Sequence, residues 1–138
     1  MRNVFVDTWA WYALSSRYDA DHQTARAAIS NLQMSGTRLI TSHYVTAEAT
    51  TLLRYRRNHP EAVAFRKLIR QLVLDNVLVV ARISESQENA AGEIFERYRE
   101  MDLSFTDCTS FALMRDMEIT EEFTGDHHFE AMGFSILP

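Results

Sequence analysis

The sequence has little of what staples small secreted proteins and little of what breaks regular structure. Cys108 is the single cysteine in 138 residues, so no intrachain disulfide can form, which fits a reducing compartment. Only four glycines and two prolines interrupt the chain, and long irregular stretches are not expected. No apolar run approaches the roughly 20 residues of a membrane-spanning helix. The triplet Val4-Phe5-Val6 near the N-terminus is too short for a signal-peptide core. The cytosol is the expected compartment, with no membrane partner. Basic excess, the usual electrostatic mark of a nucleic-acid binder, is missing too: 14 Lys and Arg face 19 Asp and Glu, a formal net charge of −5. That balance does not exclude a nucleic-acid enzyme whose acids gather around a metal, because a bound cation inverts the local field. With no linker, repeat or low-complexity segment, a single domain over residues 1–138 is expected.

What the chain does contain is short β-branched runs alternating with longer helical patterns. Val4 to Val6 reads as a strand buried on both faces, followed by a short helix over Trp9 to Ser16. Ala25, Ala28, Ile29 and Leu32 recur at helical spacing within Asp21 to Met34, and Gly36 stops that helix. Thr37 to Thr41 is a second strand. Ser42 is placed to cap a helix reaching about Arg57, and Pro60 opens another to Leu74. Val77 to Ala81 is a third strand. Ser84 with Gln87 forms a capping-box pattern for a helix to about Arg99. Ser104 or Thr106 opens a helix through Arg115. A fourth strand near Glu122 to Thr124, a short helix from His127 and a fifth strand over Phe134 to Leu137 complete the chain. Strands alternating with helices argue for a parallel α/β sheet covered on both faces, a three-layer α/β/α sandwich. In such sheets ligands bind beyond the carboxyl ends of the strands.

Most acids read as solvated. Glu85, Glu88, Glu93, Glu96 and Glu100 share a polar helix, and Glu121-Glu122 reads as a surface pair. Four acids stand in costlier places. Asp7 directly follows the first buried strand and Asp126 follows the fourth; the plainer role for each is a helix N-cap. Glu48 lies mid-helix on or beside an apolar stripe with Val45 and Leu52, where a charge is expensive unless paired or metal-bound. Its plainer role is an ion pair with Arg54 or Arg56. Asp107 falls in the first turn of a helix, where an acid complements the dipole. Four carboxylates brought together would repel and raise one another's pKa. A hard divalent cation with oxygen ligands, Mg²⁺ or Mn²⁺, would offset that. No Cys/His group has zinc spacing.

The stretches Val4-Phe5-Val6-Asp7-Thr8, Thr46-Ala47-Glu48, Leu103-Ser104-Phe105-Thr106-Asp107 and Phe123-Thr124-Gly125-Asp126-His127-His128-Phe129, with Gly133-Phe134 after them, resemble in order and spacing the PIN-domain family. They resemble in particular the VapC-type toxins of bacterial and archaeal toxin–antitoxin pairs. The resemblance implies a five-stranded parallel sheet in an α/β/α sandwich. It implies an acidic pocket holding one or two Mg²⁺ or Mn²⁺ ions, and endonucleolytic cleavage of single-stranded RNA. It implies Asp7, Glu48, Asp107 and Asp126 as catalytic metal-site acids, with Thr8, Ser104, Thr106 and Thr124 beside them or facing substrate. An antitoxin protein and a homodimer are the implied partners. Two departures touch the substrate side: His127 stands where relatives often carry a basic residue, and Met101-Asp102 where many have a lysine.

Phosphate contacts would have to come from local basic groups. Arg54, Arg56 and Arg57 follow Glu48 on its helix and form a candidate rim, with Arg66, Lys67 and Arg70 on the next helix. Trp9, Trp11, Tyr44 and Tyr55 are candidates for base stacking, although packing is the plainer role for the tryptophans. Cys108 reads as a packed thiol, since no histidine is placed to activate it. An aspartate phosphatase would want Asp-x-Asp where this chain has Asp7-Thr8-Trp9. A receiver domain would want paired acids after the first strand. The remaining alternatives are an RNA-processing PIN nuclease without an antitoxin and a non-catalytic PIN-like module that binds RNA or protein.

Overall fold

The computed structural model describes residues 1–138. The elements follow the order read from the sequence: β1 (Asn3–Val6), α1 (Thr8–Ser15), α2 (His22–Met34), β2 (Arg38–Ser42), α3 (His43–Arg56), α4 (His59–Leu74), β3 (Leu78–Ala81), α5 (Glu85–Arg97), α6 (Phe105–Asp116), β4 (Glu121–Phe123), α7 (His128–Ala131) and β5 (Ser135–Leu137). The five strands form one sheet in the order β3-β2-β1-β4-β5, with every pairing parallel. No helix is long and apolar enough to cross a membrane.

Local chemistry explains the helix starts. Ser42 accepts the Val45 N–H at 3.1 Å and caps α3. Ser84 and Gln87 close the expected capping box on α5. Ser104, and not Thr106, opens α6, again as a capping box. The α4 start has a cap that Pro60 had overshadowed: Asn58 accepts the Glu61 N–H at 2.9 Å.

The strand order carries the functional logic. From β1 the chain crosses to β2 and then β3 on one side; from β3 it jumps over to β4 and continues to β5 on the other. Right-handed crossovers therefore set α1 to α4 on one face and α5 to α7 on the other, giving three layers. Trp11 packs against Phe65 with ring centroids 5.9 Å apart, joining α1 to α4. Phe111 packs against Phe129 at 4.6 Å and Phe134 at 5.9 Å, joining α6 to the last turn of chain. The connections leaving β1 and β4 diverge, so a crevice opens between these neighbours at their carboxyl ends, the position where open α/β sheets bind ligands. Helices α3 and α6 meet across the same edge.

Candidate metal centre

Asp7 closes β1 at that crevice. Its N–H continues the ladder to the Phe123 carbonyl at 3.1 Å, which fixes the side chain beside the end of β4. Asp7 occupies the N-cap position of α1 but makes no side-chain capping bond, so the plainer role assigned to it does not hold. One carboxylate oxygen, Oδ2, accepts the Thr124 hydroxyl at 2.8 Å. The other, Oδ1, is buried and has no hydrogen-bond partner. Burial first, then the charge of Asp107, pushes the Asp7 carboxyl up to about 7, with the Thr124 bond opposing.

Glu48 reaches the crevice from α3. It is half-buried and its Oε2 accepts the Thr8 hydroxyl at 3.1 Å. Arg54 and Arg56 are exposed and neither pairs with it; the ion pairs of the chain lie elsewhere. Asp107 does serve as a helix-start acid: its Oδ2 accepts the Ser104 N–H and its own N–H donates to Ser104 Oγ, both at 3.0 Å. It is also part of the acid group. Burial, and beyond it the charges of Asp126 and Glu48, hold its carboxyl near 6 despite those Ser104 bonds. Asp126 likewise combines two roles. Its Oδ1 accepts the His128 N–H at 2.9 Å, which starts α7, and its own N–H donates to the Thr124 hydroxyl at 3.0 Å. Thr124 thus ties Asp7 and Asp126 to one oxygen atom.

The turn that aims Asp126 depends on Gly125. A Cβ at this position would lie 2.4 Å from the Trp9 ring, and Trp9 packs on Phe123 at 6.3 Å. Trp9 and Trp11 are therefore packing residues, Trp11 donating its indole N–H to Thr41 at 3.1 Å. Cys108 is buried and its thiol is pushed up to about 11, by burial and then by Asp107, so it carries no thiolate.

One residue contradicts the sequence reading. Glu121 is a surface acid, bound to Arg2 at 2.6 Å. Its neighbour Glu122 is 0% exposed, with neither carboxylate oxygen partnered. Burial and then Asp7, Asp107 and Asp126 hold its carboxyl well above the usual range. The signal was present: a parallel strand covered on both faces has no solvent side for a glutamate.

The basic residues divide. Arg57 of the expected rim is engaged elsewhere, with Glu61 at 3.1 Å and over the Tyr18 ring at 4.5 Å. Arg56 lies 6.0 Å from the Tyr12 ring centroid. Arg66 and Arg70, the α4 members of the expected rim, line a hollow of about 340 Å³ with His43 and no acidic residue, joined there by Arg82 after β3, which the sequence reading did not name. His43 and Thr106 also line the neighbouring hollow that contains Glu48.

The chemistry of this donor set fits a hard divalent cation. The acids are all oxygen donors, the charges of their neighbours raise the Asp7 and Asp107 carboxyls, and Asp7 Oδ1 is an orphan buried acceptor with no cationic side chain to meet it. The acids are not closed on one point: no three His, Cys, Asp or Glu side chains are arranged to hold an ion as they stand. Glu48, Asp107 and Asp126 each accept one hydrogen bond, from the Thr8 hydroxyl and the Ser104 and His128 N–H groups respectively.

A family model described as PIN domain matches residues 4–135. The 23S rRNA-specific endonuclease VapC20 of Mycobacterium tuberculosis is 36% identical over 131 residues, 95% of each chain. The crystal structure of VapC20, described as a Sarcin-Ricin loop cleaving toxin, superposes with a TM-score of 0.82 over 95% of each chain. Two more distant structures share the fold. VapBC2 from Rickettsia felis, bound to a DNA fragment from its promoter, is 11% identical with a TM-score of 0.67, over 98% of this chain and 97% of that one. FitAcB from Neisseria gonorrhoeae is 15% identical with a TM-score of 0.66, over 98% and 96%.

Proposed function

The chain belongs to the PIN-domain family, and on that basis we propose that it is a divalent-metal-dependent endoribonuclease acting on single-stranded segments of RNA, the toxin of a toxin–antitoxin pair. The observation that carries this reading is Asp7: a buried carboxylate at the switch point of the sheet, anchored by one oxygen and orphaned at the other, among acids that raise its pKa. PIN-domain nucleases generally use a divalent metal, and Mg²⁺ or Mn²⁺ suits an all-carboxylate set.

In this reading Asp7, Glu48, Asp107 and Asp126 hold one or two ions. Thr124 orients Asp7 and the Asp126 turn, and Thr8 orients Glu48. Ser104 positions Asp107, and Thr106, beside Glu48 in the adjoining hollow, faces substrate. When bound, a divalent cation supplies Lewis acidity to water and to the phosphate oxygens. The side chains do the rest. Burial favours the protonated form of Asp7, so it would hold a cation as the carboxylate only with its proton passed to solvent. Attack by water in line with the leaving 3′ oxygen gives 5′-phosphate and 3′-hydroxyl ends, with no part for the RNA 2′-hydroxyl.

Phosphates flanking the cleavage point would meet Arg66, Arg70 and Arg82, whose hollow adjoins the acid crevice through His43. An antitoxin segment would seat in the groove that Trp11, Leu14, Ile29, Leu68 and Leu72 line between α1, α2 and α4.

The test is cleavage of defined RNAs, ribosomal RNA first given the relative at 36% identity, in Mg²⁺, Mn²⁺ or EDTA. Wild type should cut in metal, stop in EDTA and leave 5′-phosphates. Asp7→Asn should fold and not cut. Products ending in 2′,3′-cyclic phosphate, or full activity of Asp7→Asn in excess metal, would sink the assignment.

A further inference from the structure

Six buried side-chain polar atoms of the molecule lack a hydrogen-bond partner, and three of them are carboxylate oxygens of two residues: Asp7 Oδ1 and both oxygens of Glu122. Such atoms are rare in native proteins and each asks for a partner. The strand register places these two residues together. Glu122 pairs with Phe5 and Phe123 with Val6. Side chains alternate along a strand, so Glu122 and Thr124 share the sheet face that Phe5 and Asp7 share. Thr124 confirms that geometry by donating to Asp7 at 2.8 Å. Glu122 therefore lies one pleat beneath Asp7, on the core side of the acid crevice. The charged groups that act on it are Asp7, Asp107 and Asp126, all of its own sign.

Two roles are open to a side chain in this position. A glutamate that only fills space would be matched or bettered by an apolar residue or an amide, since burying a carboxyl without a partner is costly. A glutamate that serves the site needs a cation above it, and the crevice is the one place next to it where the chain gathers acids. Glu121 cannot share this role, because Arg2 pairs with it at the amino ends of β1 and β4, away from the carboxyl-end crevice.

We propose that Glu122 is a fifth carboxylate of the metal site, forming its floor and binding, directly or through one water, a divalent cation held by Asp7 from above. The inference rests on the metal-dependent reading of Asp7 and deepens it. Glu122 contributes to cation affinity from within the sheet, where RNA does not reach. Its loss is expected to act on ion binding and not on RNA binding.

The measurement is Mn²⁺ binding by calorimetry, with the Mn²⁺-induced rise in Tm as a second readout, on wild type, Glu122→Gln, Glu122→Asp and Asp7→Asn, without RNA. Glu122→Gln keeps the shape and removes the charge. It should melt higher than wild type in EDTA, weaken Mn²⁺ by about 10- to 100-fold, the range seen when a carboxylate supporting a metal is lost, and shrink the Mn²⁺-induced shift. Glu122→Asp, which keeps the charge on a shorter stem, should fall between and guards against misfolding of the amide variant. RNA affinity in EDTA should match wild type for both. Equal Mn²⁺ affinity in wild type and Glu122→Gln, with Asp7→Asn unable to bind, overturns the role of Glu122 and leaves the site standing. Absence of Mn²⁺ binding by wild type overturns both.

Discussion

The Thr124 hydroxyl donates to Asp7 Oδ2 at 2.8 Å and accepts the Asp126 N–H at 3.0 Å, so one side chain at the end of β4 sets the orientation of an acid on β1 and the turn carrying another. Donation to the carboxylate favours its charged form and opposes the effect of burial. Thr124→Val keeps the shape and removes both bonds. The Asp7 carboxyl should then rise further above about 7, and the acidic limb of the pH–rate profile should move to higher pH. Turnover at neutral pH should fall about tenfold, within the range for removing a group that orients a metal-holding acid. An unmoved acidic limb would show that Thr124 does not tune Asp7.

Stability without metal should fall as pH rises. Folded Asp7 keeps its proton to about 7, whereas an ordinary aspartate releases it near 3.8; Asp107 behaves alike to about 6. Between about pH 4 and 7 the folded state therefore binds more protons than the unfolded one, and raising the pH through that window removes stability. For Asp7 the loss is on the order of 4 kcal/mol when complete. Urea unfolding in EDTA should give a higher midpoint at pH 5 than at pH 8. Mn²⁺ should narrow or reverse that order, because it favours the deprotonated acids of the folded state. A midpoint that climbs from pH 5 to 8 in EDTA would contradict the burial of these carboxyls.

The arginine hollow predicts a charge effect separate from chemistry. Arg70→Gln with Arg82→Gln removes two of the three guanidinium groups around His43. If both meet phosphates, the plot of log affinity against log salt for a single-stranded RNA flattens by about 1.4, at roughly 0.7 per phosphate contact. The KM should rise while kcat holds. Arg57→Gln, whose partner is already Glu61 at 3.1 Å, should leave the slope unchanged. A slope that responds to Arg57 and not to Arg70 and Arg82 would return the substrate path to the end of α3.

The sheet and its helices were legible because the signals were local: Ser42, Ser84 and Ser104 each stand where the chain needs a cap, and each accepts the expected backbone N–H. Asp7 was legible because a short apolar run, Val4-Phe5-Val6, ends at it, and Asp126 because it follows Phe123-Thr124-Gly125 between a strand and a helix. What local pattern does not encode is partnership across the sheet. Nothing near Arg57 in sequence announces the Tyr18 ring, and Thr8 finds Glu48 forty positions away. Glu122 was misread for the same reason. Beside Glu121 it looks like half of a surface pair, and only the layer of helices over β4 makes one glutamate exposed to Arg2 and the other 0% exposed.

Gly125 offers a packing test of how the Asp126 turn is held. A Cβ there would lie 2.4 Å from one Trp9 ring atom and 2.6 Å from the indole nitrogen, closer than any side chain tolerates, and the ring has Phe123 behind it at 6.3 Å. Gly125→Ala must displace either Trp9 or the turn. The stability cost should be about 1–3 kcal/mol, the range for overpacking, and cleavage should fall with it because Asp126 moves. Trp9→Leu removes the obstructing ring at its own packing cost. In the double variant the alanine has room, so the combined loss should be smaller than the sum of the single losses by about 0.5 kcal/mol or more. Urea midpoints for the four proteins measure this coupling. Strict additivity would mean that the turn, and not the indole, absorbs the added methyl group.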